Sequence, residues 1–281
     1  MQFLDTHQHL LYPDRFDYSW TAGIPPLHGA FTLETYADLA KTSGIGGAIF
    51  MEAAPDDAFY QDEVRYILGL MRGGPNLLRG VIAGCRPETD AGFDAWLDET
   101  DSSDVVGYRR ALHVVPDETS TTATFRKNVE KIGTRNKTFD LCVTQAQLPM
   151  GRDLARACPN TVLVLNHCGV PAIAGGDFAG WAAAIDELAA LPNVVCKISG
   201  VGAYVGDKPR KEAVRPYVEH CLEVFGADRV VWGGDWPVVN LAAGLPDWAA
   251  MTRDLTAALS DGDRAKLFAG NALRIYRVKE A

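Results

Sequence analysis

The sequence predicts a (β/α)8 TIM barrel in a single domain, and three observations carry that expectation. Eight short apolar runs of strand length recur along the chain, and most intervals between them show apolar spacing nearer 3.6 residues than 2, bounded by Gly, Pro or Asn. The 281 residues slightly exceed the roughly 250 typical of such a barrel. No composition break, low-complexity run or Ser/Gly linker divides the chain. Strands alternating with helices imply a parallel sheet covered on both faces, and eight units are what closure requires. A doubly wound open sheet is the structural alternative.

In chain order, the expected strands are residues 3–5 with the histidine that follows, 47–51 (GAIFM), 80–83 (GVIA), 105–108, 139–143 (FDLCV), 162–165 (VLVL), 194–198 (VVCKI) and 230–232. The expected helices are 33–41, with Thr32 as N-cap, then 57–72, 92–98, 121–133, 148–158, 179–191, 211–225 and 245–260. Two stretches fit the repeat poorly. Residues 10–30 hold three prolines and four aromatics with no period, which reads as a long functional loop after the first strand. Residues 200–209, with Tyr204 and Pro209, follow the seventh.

Composition bounds the partners. A net charge of -9, with 47% hydrophobic and 22% charged residues, belongs to a soluble chain with a sizeable core. The acid surplus argues against sequence-independent nucleic-acid binding and against adhesion to anionic membranes, both of which use Lys/Arg surplus. No run of about 18 apolar residues exists, and MQFLDTHQHL lacks the regions of a signal peptide, so a cytoplasmic protein is expected. Six cysteines without a C-x-x-C pair read as buried reduced thiols.

Chemistry gathers at strand ends. His7 and His9 stand two apart at the end of the first strand, so both imidazoles can aim into one site, as metal ligands or as donors to an oxyanion. His167 ends the sixth strand, and Asp235 follows the eighth after two glycines, where a carboxylate can deprotonate water or bind metal. The bland alternatives are a satisfied core histidine and an Asp capping a turn. His28, His113 and His220 have no such placement. Glu52, Arg109, Arg110 and Lys197 also lie at strand ends. Alternation turns only one of the two arginines inward, to clamp a carboxylate or sugar hydroxyls. Glu52 and Lys197 either line the pocket or form an internal ion pair.

Asp5-Thr-His-Gln-His9, Gly107-Tyr-Arg109, Asn166-His-Cys-Gly-Val-Pro171, Asn193-Val-Val-Cys-Lys-Ile-Ser-Gly200 and Trp232-Gly-Gly-Asp-Trp-Pro237 together resemble the amidohydrolase superfamily. The resemblance is closest to the amidohydrolase-2 branch of sugar-acid lactonases and 2-pyrone-4,6-dicarboxylate lactonase, and it spans nearly the whole chain. It implies a (β/α)8 barrel that hydrolyses a lactone. Asp235 would be the base, with His7, His9 and His167 around the lactone carbonyl oxygen or around a metal bound by these three and Asp235. Arg109 would hold polar substituents. The fourth strand lacks the carboxylated lysine of binuclear members, and the fifth leads to Thr144 and Gln145 in place of histidine. A two-metal centre is therefore not expected, and the resemblance leaves one Zn²⁺ or none.

The expected reaction is ring-opening of an aldonolactone such as fuconolactone or rhamnonolactone. The 2-pyrone-4,6-dicarboxylate alternative calls for several arginines, and here only Arg109 or Arg110 is well placed, although Arg15 or Arg210 could reach in from loops. A Zn-dependent decarboxylase or hydratase and a non-catalytic metabolite binder are the further alternatives. The 10–30 loop is expected to fold over the mouth and bring Trp20 to the substrate, with Trp236, Glu52 and Lys197 as further substrate contacts. Sequence does not give the oligomeric state.

Overall fold

A strand buried along nearly its whole length needs hydrogen-bond partners on both edges, and a closed parallel sheet supplies them. The computed structural model describes residues 2–74, 76–206 and 210–279. Its strands are β1 (Phe3–Gln8), β2 (Ile45–Met51), β3 (Leu78–Gly84), β4 (Val105–Ala111), β5 (Thr138–Cys142), β6 (Leu163–Leu165), β7 (Val194–Ile198) and β8 (Val230–Trp232). They pair in sequence order, each neighbour parallel. Past the end of β8 the chain returns to β1: Asp235 N donates to His7 O at 2.6 Å and His9 N to Trp236 O at 2.7 Å. The fold is the expected single-domain (β/α)8 TIM barrel, and the open sheet is excluded.

The outer layer is α1 (Leu33–Ser43), α2 (Tyr60–Arg72), α3 (Phe93–Glu99), α4 (Ala123–Thr134), α5 (Leu148–Ala157), α6 (Phe178–Ala189), α7 (Arg210–Phe225) and α8 (Leu245–Leu255). Local chemistry sets several ends. Thr32 caps α1 by accepting from Thr35 N, and Gly44 stops it in the left-handed region at φ 75°. The last expected helix ends at Leu255 instead of residue 260, because Ser260 caps a new one by accepting from Asp263 N. That helix, α9 (Asp261–Ala265), a π-turn over Lys266–Gly270 and α10 (Asn271–Tyr276) form where the sequence reading expects no element. Ala272 and Tyr276 of α10, with Val278 just beyond it, pack with Leu4, Ile49, Met51, Val106, Val164 and Val231 to fill the barrel interior from below the strands.

That plug leaves the opposite end to the site. Among the described residues no helix is long and apolar enough to cross a membrane. The 10–30 loop contains short 3-10 turns at Ser19–Thr21 and Pro25–Leu27 and buries Leu10, Leu11, Tyr12, Phe16, Tyr18 and Leu27, so it has packing of its own. The expected 200–209 loop forms a 3-10 turn over Val201–Tyr204, while residues 207–209, Pro209 included, lie outside the described residues.

Candidate active site

Three strand ends bring one carboxylate and three imidazoles together. Asp235 Oδ1 lies 3.6 Å from His7 Nε2 and 3.7 Å from His9 Nε2, and Asp235 Oδ2 lies 3.9 Å from His167 Nδ1. All four residues are nearly inaccessible, His7 completely so. These separations exceed a hydrogen bond, so the groups face a shared gap and are not paired with one another. Both ring nitrogens of His7 and Asp235 Oδ2 are buried without a hydrogen-bond partner. Orphaned polar atoms at this depth are costly unless a ligand or water completes them.

Each group is held from behind. Asp5 Oδ1 accepts from His7 N at 2.9 Å and from Gly234 N at 2.7 Å, while Oδ2 accepts from Tyr36 OH at 2.7 Å. One carboxylate thus fixes β1 and the end of β8 at the seam between them. Burial pushes its pKa up to about 6, against these hydrogen bonds. His9 Nδ1 sits 3.0 Å from Met51 O and 3.1 Å from Glu52 O, which makes it the protonated nitrogen and turns Nε2 toward Asp235. Burial, then the neighbouring His167 and Lys197, hold His7 well below the usual histidine range, so it is neutral near pH 7.

The backbone is strained where it presents two of these groups. His167 (φ 55°), Cys168 (φ 51°) and Asp235 (φ 57°) all occupy the left-handed region. The His167 turn is tied down by Asn166 Nδ2 on Asp140 Oδ1 at 2.7 Å and by Trp181 Nε1 on Cys168 O at 2.9 Å. Ser199 Oγ contacts His167 Nδ1 at 2.9 Å. Gly200 backs the site: a Cβ there would lie 2.4 Å from Asp235 Oδ2 and 2.6 Å from His167 Nδ1.

The remaining sequence-derived candidates occupy varied positions. Arg109 turns inward, its Nε on Glu52 Oε1 at 2.7 Å and its second amino group on Glu52 O at 2.6 Å, whereas Arg110 pairs with Glu88 at 2.7 Å. Burial alone would raise Glu52, but Arg109 and Arg86 outweigh it and hold the carboxyl below its ordinary value. Lys197 is fully buried deeper in the barrel, its Nζ on Asp140 Oδ1 at 2.6 Å and Thr6 O at 2.9 Å, with the Tyr276 ring 5.4 Å away. The expected alternative, an ion pair between Glu52 and Lys197, does not form: Lys197 takes Asp140 as its partner and Glu52 takes Arg109, and Lys197 lies too deep to line the pocket. Burial lowers its pKa despite Asp140.

Trp20 reaches the end of β2, where its Nε1 donates to Ala53 O at 2.9 Å. Trp236 is 1% exposed, its ring packed against Phe31 and Tyr36, so it offers the site its carbonyl and no ring face. Sequence reasoning did not single out Asp5, Ser199 or Gly200 for a role. Asp5 and Gly200 have no local signal, because the groups they serve come from other strands.

Comparison with known proteins gives the family. The amidohydrolase family model matches residues 4–278. The protein belongs to the amidohydrolase family. It is similar to an L-fucono-1,5-lactonase of Burkholderia ambifaria, 29% identical over 98% of this chain and 95% of that protein. A 2-pyrone-4,6-dicarboxylate hydrolase of Comamonas testosteroni is 30% identical over 47% of this chain and 46% of its own length. A crystal structure of a Burkholderia multivorans amidohydrolase with bound zinc superposes with a TM-score of 0.89, at 27% identity over 99% of this chain and 100% of that one. As a member of this family the protein is a hydrolase.

Proposed function

We propose that this amidohydrolase opens the lactone ring of a neutral sugar acid such as fuconolactone or rhamnonolactone. The observation that carries the reaction type is the Asp235 carboxylate facing a gap ringed by three imidazoles, with Oδ2 unpartnered and His7 neutral. Asp235 takes a proton from water, and the hydroxide adds to the lactone carbonyl carbon. An imidazole N–H of His7 or His167 receives the oxyanion, while His9 presents its unprotonated Nε2 to the gap. As the ring C–O bond breaks, Asp235 returns its proton to the leaving alkoxide, giving the free hydroxy acid.

The donor set also fits one divalent metal. The ligand atoms of His7, His9 and Asp235 lie within 4.8 Å of one another, both ring nitrogens of His7 and Asp235 Oδ2 are orphans, and His9 Nδ1 is anchored on backbone carbonyls in the manner of a zinc-bound histidine. Zinc held by these three, with His167 beside it, would supply Lewis-acid polarisation of the carbonyl.

Arginine pairing supports the substrate class. Around the mouth Arg109 is bonded to Glu52, Arg110 to Glu88 and Arg86 to Asp57. These three cations are already neutralised, and Arg210, whose Nε is unpartnered, packs against Gly202 in the 201–204 turn, so the paired cations favour a polyhydroxylated lactone over a dicarboxylate. Glu52 and Arg109 would accept from and donate to the sugar hydroxyls, under the 10–30 loop with Trp20 at the mouth.

A pH-indicator screen of aldonolactones and pyrone lactones, with and without chelator, tests the reading. Acid release from an aldonolactone is expected, and Asp235→Asn should lower turnover by about 10²–10⁴-fold with an unchanged fold. No acid release from any lactone, or an Asp235→Asn variant with wild-type turnover, defeats it.

A further inference from the structure

Outside the histidine site, three cysteines from three separate elements meet in the core. Cys168 lies on the turn after β6, Cys196 on β7 and Cys221 on α7, and their Sγ atoms fall within 4.8 Å of one another. All three are fully buried among apolar neighbours. Cys168 Sγ also lies 3.9 Å from Lys197 O, much as Cys85 Sγ lies 3.6 Å from Arg109 O and Cys158 Sγ 3.4 Å from Arg126 O, while Cys142 Sγ is 3.3 Å from His113 Nδ1; the three-thiol grouping is what sets Cys168, Cys196 and Cys221 apart.

We propose that Cys168, Cys196 and Cys221 form a three-thiol site for a trivalent group-15 ion, arsenite or its antimony analogue. Bonds of roughly 2.3 Å from thiolate sulfur to a soft ion set the three sulfurs about 3.5–4 Å apart. Sulfurs no more than 4.8 Å apart reach that spacing with movements of about an ångström. Charge then selects among thiophiles. Arsenite condenses with three thiols as As(OH)3 + 3 RSH → As(SR)3 + 3 H2O. Three As–O bonds break, three As–S bonds form, and each thiol proton leaves in water, with no change of oxidation state. The site is neutral before and after.

Three thiolates on Zn²⁺ would leave one buried negative charge, and on Cu⁺ two, each strongly penalised without solvent. Burial, then hydrogen bonding with Cys168 and Cys196, holds the Cys221 thiol up. Because Cys168 directly follows His167 in the strained turn, occupancy pulls on a histidine of the candidate active site.

The test uses the reduced full-length protein, freed of small thiols and incubated with arsenite. Native mass spectrometry should find one arsenic per chain, and X-ray absorption three sulfur neighbours, with slow onset because no thiol is exposed. Cys196→Ala and Cys221→Ala each leave two thiols and should weaken retention by about tenfold or more, whereas Cys85→Ala should not change it. Turnover should fall on binding and return with a dithiol. The binding measurements need no substrate, so their result is separate from the lactonase reading. No bound arsenic, fewer than three sulfur neighbours, undiminished retention by Cys221→Ala, or displacement by equimolar zinc or cuprous ion each overturns the proposal.

Discussion

Replacing Gly200 by alanine tests whether the Asp235–His167 spacing controls turnover. A Cβ at this position would lie 2.4 Å from Asp235 Oδ2 and 2.6 Å from His167 Nδ1, against 3.4 Å for ordinary contact. The two groups must therefore retreat by about 1 Å between them and the backbone. A misplacement of that size costs about 10²-fold in rate. Gly200 also has φ +62°, where an L side chain adds about 1–2 kcal/mol of strain. For a domain of this size each kcal/mol lowers Tm by about 2–4 °C. Gly92 separates the two effects: its φ is +75° but nothing lies within 4 Å of its Cβ position. Gly92→Ala should lower Tm to a similar degree and leave kcat unchanged. The assay is lactone hydrolysis at saturating substrate, paired with thermal unfolding by circular dichroism. A Gly200→Ala protein that folds and turns over within threefold of wild type would mean that the Asp235–His167 spacing does not control turnover.

Three other perturbations separate structural from chemical roles. Lys197→Met leaves Asp140 buried without its cation and should destabilise by about 3–5 kcal/mol in denaturant titration; a KM defect without lost stability would instead place Lys197 at the substrate. Glu63 is buried, accepting from Tyr18 OH and Ala53 N, and burial, with the nearby Glu52 charge, raises its carboxyl well above the usual range. The native state then holds the proton the unfolded chain has released, so this group's contribution to stability falls as pH rises from the unfolded pKa through the raised native one. Glu63→Gln should remove that slope, gaining on wild type as pH rises above the ordinary glutamate pKa, and a pH-independent difference would count against a protonated Glu63. Trp20→Ala is expected to raise KM and to spare Tm, because the ring is half-buried with one hydrogen bond to Ala53 O; an unchanged KM would remove Trp20 from the substrate.

Much of the barrel was readable because a strand buried on both faces and the helix that covers it announce themselves within one short window. The elements after Ser260 were not: their apolar residues make sense only against the barrel floor they fill. At the site, His7 and His9 share a face by strand alternation, and their rings do meet at 4.9 Å. Alternation could not choose between Arg109 and Arg110. The register slips between Val81 and Ile82, so that Val106 has no partner on β3, and Val106 and Arg109, three apart, both point inward. That bulge has no local signature in the sequence.

The eight-unit barrel, the strand ends that carry His7, His9, His167 and Asp235, and the family to which they belong are legible in the linear chain, because each is a local pattern or an ordered motif. Only the tertiary structure decided what those groups and their neighbours touch. Asp5 joins two strands at the seam, Lys197 meets Asp140 deep in the barrel, Glu52 neutralises Arg109, Trp236 faces the core, and three distant cysteines converge. These are pairings across the closed sheet, set by register, bulges and shear, and residues far apart in sequence acquire their chemistry only when closure brings them within bonding distance.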